Sequence, residues 1–253
     1  MDIHKPKPWH NWREFLKEYA IIVLGVATAL GAEQALEWVH WQHRIADARA
    51  TMVLELRDDD GPQAFLRAAA GPCFDRQLNG IRAAVEAGRS RSEIAALIRQ
   101  YAPPIRSWDS EAWDAVFTSD LASHVTPNQM RKWGLLYVAV PRLNARSQEE
   151  REALITVKPV RETSDKLSAN EADTILGAVG RLRAINNTFM SGSGFLLSVM
   201  ARNGIEVTPE QKARILDGLR KLYQNCVVVP SIGSGVPDDQ FFTMRNAMQQ
   251  KTR

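Results

Sequence analysis

The sequence predicts an all-α fold, in which an N-terminal transmembrane helix continues into an antiparallel helical bundle. Helix-start signals recur, each a Ser or Thr followed three residues later by Glu or Gln; they begin at Ser90, Thr126, Ser168 and Thr208. Between them, apolar residues recur at steps of three and four, which is the helical period. The single β-like run is CVVVP at 226–230.

The first element is the stretch EYAIIVLGVATALGAEQALEW, residues 18–38. Its uncharged run, residues 19–32, would cover about 21 Å as a helix, less than the ~30 Å hydrocarbon core. The flanking tryptophans Trp12, Trp38 and Trp41 extend the pattern. The helix from Trp12 to Trp38 would span about 39 Å, close to the ~40–45 Å between the interfaces where tryptophan concentrates. We therefore expect these three residues to form an interfacial aromatic belt.

Two other interpretations of this stretch compete with a single-pass anchor. A cleaved signal peptide would need an N-terminal region containing Glu14 and Glu18, and its best cleavage site, Ala27-x-Ala29, lies inside the apolar run. A buried or interfacial helix of a soluble protein is the third interpretation. The edge positions of Glu18 and Glu33, where a carboxylate costs less than at the bilayer centre, favour the anchor.

Basic residues set the expected orientation of the anchor. His4, Lys5, Lys7, Arg13 and Lys17 precede it, whereas Arg44, Arg49 and Arg57 follow it. By the positive-inside tendency, residues 1–17 form a short basic cytoplasmic tail, 18–39 the transmembrane helix and 40–253 a helical extracytoplasmic domain. In a bacterium this is an inner-membrane protein with a periplasmic domain.

Small residues repeat within the anchor. Gly25, Ala29 and Glu33 are spaced by four, which brings them onto one face and lets helix backbones approach closely in lipid. We expect this face to contact another membrane protein or a second copy of the chain. The alternative is that glycine and alanine are simply common in membrane helices.

The elements after the anchor follow in order. A seam at three- and four-residue steps, typical of a coiled coil or a bundle helix, continues past the membrane: Trp38, Trp41, Ile45, Ala48, Met52 and Leu56. The DDDGP run at 58–62 predicts a break or a kink in this helix, and Gly71-Pro72 predicts a second break. Further helices are expected over 73–88, 90–101, 109–122, 126 onward with a kink at Pro141, 168–203 and 208–222. A loop over 227–236 and a short helix from Asp238 end the chain.

The meaning of the two cysteines depends on the compartment. Cys73 and Cys226 belong to no C-x-x-C or Cys/His cluster, so zinc and thioredoxin-like chemistry are disfavoured. In the cytosol they would be two buried thiols. In an exported domain they would form one disulfide, which is our expectation.

The anchor resembles the N-terminal segment of a broad group of uncharacterised single-pass bacterial inner-membrane proteins. Their pattern is an acidic residue followed by I-I-V-x-G-V-x-x-A-L; here it is Glu18, then IIVLGV at 21–26 and Ala29-Leu30. A second similarity is Trp113 followed by Ser119-Asp120-Leu121, where Asp replaces the usual Gly. The resemblance implies a single membrane span with a helical extracytoplasmic domain, and no activity.

Nucleic-acid binding is disfavoured by charge. The net charge is only +3, and basic residues are interleaved with acidic ones instead of forming a stripe. A metal site is also disfavoured: Glu37, His40 and His43 contain a single Glu-x-x-His unit, whereas di-iron bundles use two. We expect interfacial packing there, and no metal or cofactor.

Three further groups have structural explanations. His124 near Asp109, Asp120 and Ser123 lacks the nucleophile elbow of a hydrolase, and is expected at a helix end. The SGSG run at 191–194 lacks a P-loop lysine, and is expected to mark close packing or a kink instead of a ligand pocket. Aromatics at helical spacing are expected in the core: Trp108, Trp113, Trp133 and Tyr137.

No catalytic residues are therefore assigned. The sequence favours a non-enzymatic, membrane-anchored scaffold or accessory subunit that docks on a membrane complex or self-associates. A periplasmic ligand-binding sensor that acts through a partner is the alternative, since the cytoplasmic tail is too short for an output module. A hydrolase-type enzyme ranks third.

Overall fold

The computed structural model describes residues 12–157 and 165–230, and within them the fold is all-α, as predicted. The chain divides into two units, Met1–Arg49 and Ala50–Arg253. Nine α-helices are described: α1 (Trp12–Leu54), α2 (Gly61–Glu86), α3 (Arg91–Gln100), α4 (Glu111–Thr118), α5 (Leu121–His124), α6 (Pro127–Tyr137), α7 (Val140–Val157), α8 (Ala169–Arg202) and α9 (Pro209–Tyr223).

Helix starts lie where the local signals predicted them. Ser90, Ser168 and Thr208 each form a capping box with the residue three positions on, and the Thr126 side chain accepts from Gln129 N. These contacts satisfy amide groups that the first turn of a helix leaves without partners. The helix expected over 109–122 is divided into α4 and α5, and Pro141 lies in the first turn of α7 instead of kinking one long helix.

Of the break or kink predicted at DDDGP, residues 58–62, the break is wrong. A π-helical turn, Glu55–Asp60, joins α1 directly to α2, and Gly61 N donates to Leu56 O, five residues back. Pro62 is the second residue of α2, just where the π-helical turn gives way to α-helical hydrogen bonding. The wider π-helical turn lets the helix continue through residues that would otherwise end it.

The break predicted at Gly71-Pro72 is also wrong, because Pro72 lies inside α2. Tertiary contacts bind carbonyl groups near the proline: Asn186 Nδ2 donates to Gly71 O at 2.9 Å, and Val228 N donates to Ala69 O at 3.1 Å. A proline in a helix is tolerated when the backbone groups around it find other partners.

The core of the Ala50–Arg253 unit is built on α8, which runs antiparallel to both α2 and α7. Asp75 of α2 pairs with Arg183, while Gly71 lies beside Asn186. On the α7 side, Leu143 lies beside Gly192, whereas Glu152, later in α7, pairs with Arg181, earlier in α8. The main apolar cluster combines side chains from α2, α3, α7, α8 and α9.

The last residues of the seam predicted to continue past the anchor pack against other parts of the same chain. Met52 and Leu56 are 1% and 0% exposed, so they are core residues of a bundle helix and are closed to a coiled-coil partner. The CVVVP run forms no strand: a 3₁₀ turn, Gln224–Cys226, precedes irregular backbone over 227–230. The remaining predicted loop to residue 236 and the helix from Asp238 lie outside the described residues.

Replacing Gly71 by alanine should destabilise the protein by about 1–3 kcal/mol, the usual cost of overpacking. A Cβ at Gly71 would lie 2.3 Å from Met190 Cγ, whereas one at Gly80, in the same helix, would meet nothing within 4 Å. Gly80→Ala should therefore stabilise by about 0.5–1 kcal/mol through helix propensity. Urea unfolding followed by circular dichroism measures both, and equal effects at the two positions would contradict the close α2–α8 packing.

Candidate functional site

The apolar stretch of α1, residues 19–39, is the most unusual surface of the described chain. It belongs to a helix that is long and apolar enough to cross a membrane, with a mean hydropathy of 1.6 over its most apolar 18 residues. None of those residues is buried, and Ile21 is 71% and Leu24 69% exposed. Exposing apolar side chains to water is unfavourable, so an apolar environment would lower the free energy of this surface.

The predicted helix-contact residues lie within the apolar stretch. Gly25, Ala29 and Glu33 are all exposed, and a Cβ added at Gly25 would meet no atom within 4 Å. Nearby, Thr28 Oγ1 donates to Leu24 O at 2.7 Å, so this hydroxyl is satisfied inside the helix. The face is open to close approach by another helix.

The belt tryptophans differ in exposure. Trp12 and Trp38 are exposed, whereas Trp41 is half-buried. Trp41 Nε1 donates to Glu37 Oε1 at 3.4 Å, and the Arg44 guanidinium lies 4.7 Å from the Trp41 ring centroid. Glu37 thus accepts a hydrogen bond from the indole of Trp41, whose ring also lies beside His40 and Arg44.

Among residues 12–157 and 165–230, no group of three His, Cys, Asp or Glu side chains is arranged to hold a metal ion.

Cys73 and Cys226 form a disulfide, with their Cα atoms 5.1 Å apart. Both residues are buried, at 1% and 7% exposure. The bond joins the middle of α2 to the 3₁₀ turn that follows α9, next to the hydrogen bond from Val228 N to Ala69 O. The pairing expected for an exported domain is thus present in the fold.

A buried ion pair that the sequence did not predict joins α2 to α7. The Arg67 guanidinium donates to Glu150 Oε1 at 3.1 Å and to Oε2 at 2.5 Å, and both side chains are 0% exposed. Arg67 also donates to Pro104 O at 2.6 Å and lies 4.1 Å from the Phe189 ring centroid. These contacts give the guanidinium partners on three other segments: α7, the segment between α3 and α4, and α8. The Arg67–Glu150 pair has no signal in the local sequence, because the two residues are 83 positions apart.

An acidic cleft of about 430 Å³ lies beside the π-helical turn. Its lining contains five carboxylates and two other residues: Glu55, Asp58, Asp59, Asp109, Glu111, Thr51 and Leu54. Beside it, Asp60 is 2% exposed; its Oδ1 accepts from Asp109 N at 3.3 Å, while its Oδ2 has no hydrogen-bond partner. Burial, and then the neighbouring carboxylates, raise the pKa of Asp60 to about 7.

Ser123 and Asp109 of the candidate hydrolase group each have a hydrogen-bond partner with a structural role. Ser123 Oγ donates to Asp120 O at 2.7 Å, and His124 is the last residue of α5, as the sequence predicted. Asp109 is engaged with Asp60 through its amide.

The SGSG run marks close packing, as expected. α8 continues through residues 191–194, and a Cβ at Gly192 would lie 2.9 Å from Leu143 Cδ2 of α7. Ser193 is fully buried and Ser191 bonds to carbonyls of its own helix.

The aromatic residues predicted to lie in the core are buried or half-buried. Trp108, Trp133 and Tyr137 are buried, and Trp113 is half-buried. Trp108 Nε1 donates to the buried Ser147 Oγ at 3.1 Å and its ring stacks on Phe189. Trp113 stacks on Tyr137, which ties α4 to α6.

No family model, no curated protein and no solved structure matches this chain.

Proposed function

We propose that this chain is a membrane-anchored, non-enzymatic scaffold or accessory subunit that docks on a partner membrane complex or on copies of itself. The observation that carries the proposal is the exposed apolar stretch of α1. Burying one leucine or isoleucine side chain is worth about 1.5–3 kcal/mol, and this stretch exposes Ile21, Ile22, Leu24, Leu30 and Leu36. Lipid and a partner helix are the environments that would recover this free energy.

The proposed topology places residues 1–17 in the cytoplasm, 18–39 across the bacterial inner membrane and 40–253 in the periplasm. The distribution of basic residues supports this orientation. The Cys73–Cys226 disulfide also supports it, since disulfides persist in the periplasm and are rare in the cytosol. Trp12 on one side and Trp38 with Trp41 on the other would lie at the two interfaces.

The proposed docking surface is the face of α1 that contains Gly25, Ala29 and Glu33. Small side chains let a second helix approach closely, and a carboxylate near the membrane edge favours a partner that donates a hydrogen bond. Two structural contacts weigh against the hydrolase alternative: Gly192 of the SGSG run packs against Leu143, and the Ser123 hydroxyl donates to Asp120 O.

Enlarging the docking face should release the partner without removing the protein from the membrane. We expect the wild-type chain to remain in the membrane pellet after alkaline carbonate washing and to co-purify with a stable partner in mild detergent. Gly25→Leu and Ala29→Leu should reduce the recovered partner at least tenfold, roughly 1.4 kcal/mol. Quantitative mass spectrometry, with chemical cross-linking for self-association, measures this loss.

Ala27→Leu is the matched control, because position 27 lies on the opposite face of α1 and the change in volume equals that at Ala29. Equal partner recovery from all three variants would reject the docking face. Release of the wild-type chain by carbonate would reject the anchor. A monomer that co-purifies with a small molecule would instead support the alternative, a periplasmic ligand-binding sensor.

A further inference from the structure

The π-helical turn and the start of α4 are held together by carboxylates. Asp60 Oδ1 accepts from Asp109 N at 3.3 Å, and Glu55 Oε2 accepts from Ala112 N at 3.0 Å. Both donors are backbone amides, so neither carboxylate is neutralised by a cation through these bonds. We call these two hydrogen bonds the acidic latch.

Acidic groups dominate the surroundings of Asp60. The charged groups that act on it are Asp109 from the segment before α4, and Glu55 and Asp59 from the π-helical turn itself. Tyr137 of α6 is a further titratable group facing Asp60; its hydroxyl donates to Met52 O, and burial raises its pKa, so it stays neutral. On the other side, Met200 and Val207 lie against Gly61 and contribute no charge. The nearby cation Arg57 pairs with Asp58 on the exposed side of the turn.

We propose that the acidic latch is proton-controlled: it is closed when Asp60 carries a proton and opens, freeing the start of α4, when Asp60 ionises. When Asp60 is protonated, its Oδ1 still accepts the hydrogen bond from Asp109 N. The proton also removes the negative charge from the carboxyl group, whose Oδ2 lies buried without a hydrogen-bond partner. An ionised Asp60 would hold a buried negative charge beside the carboxylates of Glu55, Asp59 and Asp109, which are themselves half-buried or exposed. Both its burial and the repulsion from these carboxylates disfavour the charged form. The inference does not depend on membrane anchoring.

The direction of the pH effect follows from linkage. The pKa of Asp60 is about 7 with the latch closed, and an exposed aspartate in the open state titrates near ~3.9. The closed state therefore holds the proton more tightly, and its advantage is lost as the pH rises through 7. Between pH 6 and pH 8.5 the opening equilibrium constant should rise about tenfold, most of it below pH 7.5.

Hydrogen–deuterium exchange of the full chain in detergent micelles tests the proposal. After correction for the intrinsic pH dependence of exchange, peptides covering 109–118 should lose about tenfold in protection between pH 6 and 8.5. Peptides from the middle of α8 should keep theirs. Asp60→Asn, which keeps the acceptor and removes the charge, should retain the pH 6 protection at pH 8.5. Asp58→Asn, at an exposed position, should behave as the wild type.

Unchanged protection of 109–118 in the wild type, or the same loss in Asp60→Asn, would overturn the latch. An equal loss in α8 would mean global unfolding and would overturn it as well. Should Asp60→Asn not fold, Asp109→Asn serves instead: removing one facing carboxylate should move the midpoint of opening to lower pH, and an unshifted midpoint would count against the proposal.

Discussion

Replacing Glu150 by glutamine should destabilise the full chain by about 3–5 kcal/mol, because it leaves the Arg67 guanidinium buried without a countercharge. Glutamine has nearly the same shape, so the loss reports charge and hydrogen bonding instead of a cavity. Urea unfolding in detergent micelles, followed by circular dichroism, measures the change.

Glu152→Gln is the matched control for this prediction. Glu152 lies two positions further along α7 and also pairs with an arginine, Arg181, at 3.5 Å. That pair is more than half exposed, so the same substitution should cost under about 1 kcal/mol. Similar losses at the two positions would show that the buried pair does not hold α2 to α7.

A double replacement separates the ion pair from its surroundings. Arg67→Met with Glu150→Leu removes both charges and leaves apolar side chains of comparable volume. This variant should be less destabilised than either single charge removal, because no unpaired charge stays buried. A loss equal to the sum of the two single variants would indicate that Arg67 acts mainly through Pro104 O and the Phe189 ring.

Removing the Cys73–Cys226 disulfide should destabilise the chain by up to about 4–5 kcal/mol, the loop-closure limit for a sequence separation of 153. The bond restricts the unfolded chain over most of the periplasmic unit proposed above. Cys73→Ser, Cys226→Ser and the double variant should therefore lose similar amounts, since each removes the same link.

Gel mobility under non-reducing conditions provides the direct measurement. We expect the wild-type band to shift on reduction and the three serine variants not to shift. Alkylation of both thiols in the denatured, unreduced protein would disprove the bond and weaken the proposed periplasmic location.

Local sequence was sufficient for the features that depend on a few neighbouring residues. The caps at Ser90, Ser168 and Thr208 formed as predicted, because a side-chain oxygen reaches an amide only three positions away. The apolar stretch of α1 was visible for the same reason, since length and hydropathy are properties of consecutive residues. The core positions of α2 and α8 followed from their helical period.

The breaks predicted at DDDGP and Gly71-Pro72 failed because tertiary contacts overruled local preference. Pro72 stays within a helix whose nearby carbonyls bond to Asn186 and Val228, which come from distant parts of the chain. The acidic DDD segment continues as a π-helical turn in which one aspartate, Asp60, is buried. Propensities are small next to such packing and hydrogen-bond terms.

The all-α class, the helix starts and the apolar anchor candidate could thus be obtained from the amino-acid order, because each is set by residues within a turn or two of one another. The Arg67–Glu150 pair, the acidic cleft and the unpartnered oxygen of Asp60 appeared only with the fold, which brings α2, α7 and the start of α4 together. Burial changes the energy of a charge far more than that of an apolar group, and burial is a property of the assembled core.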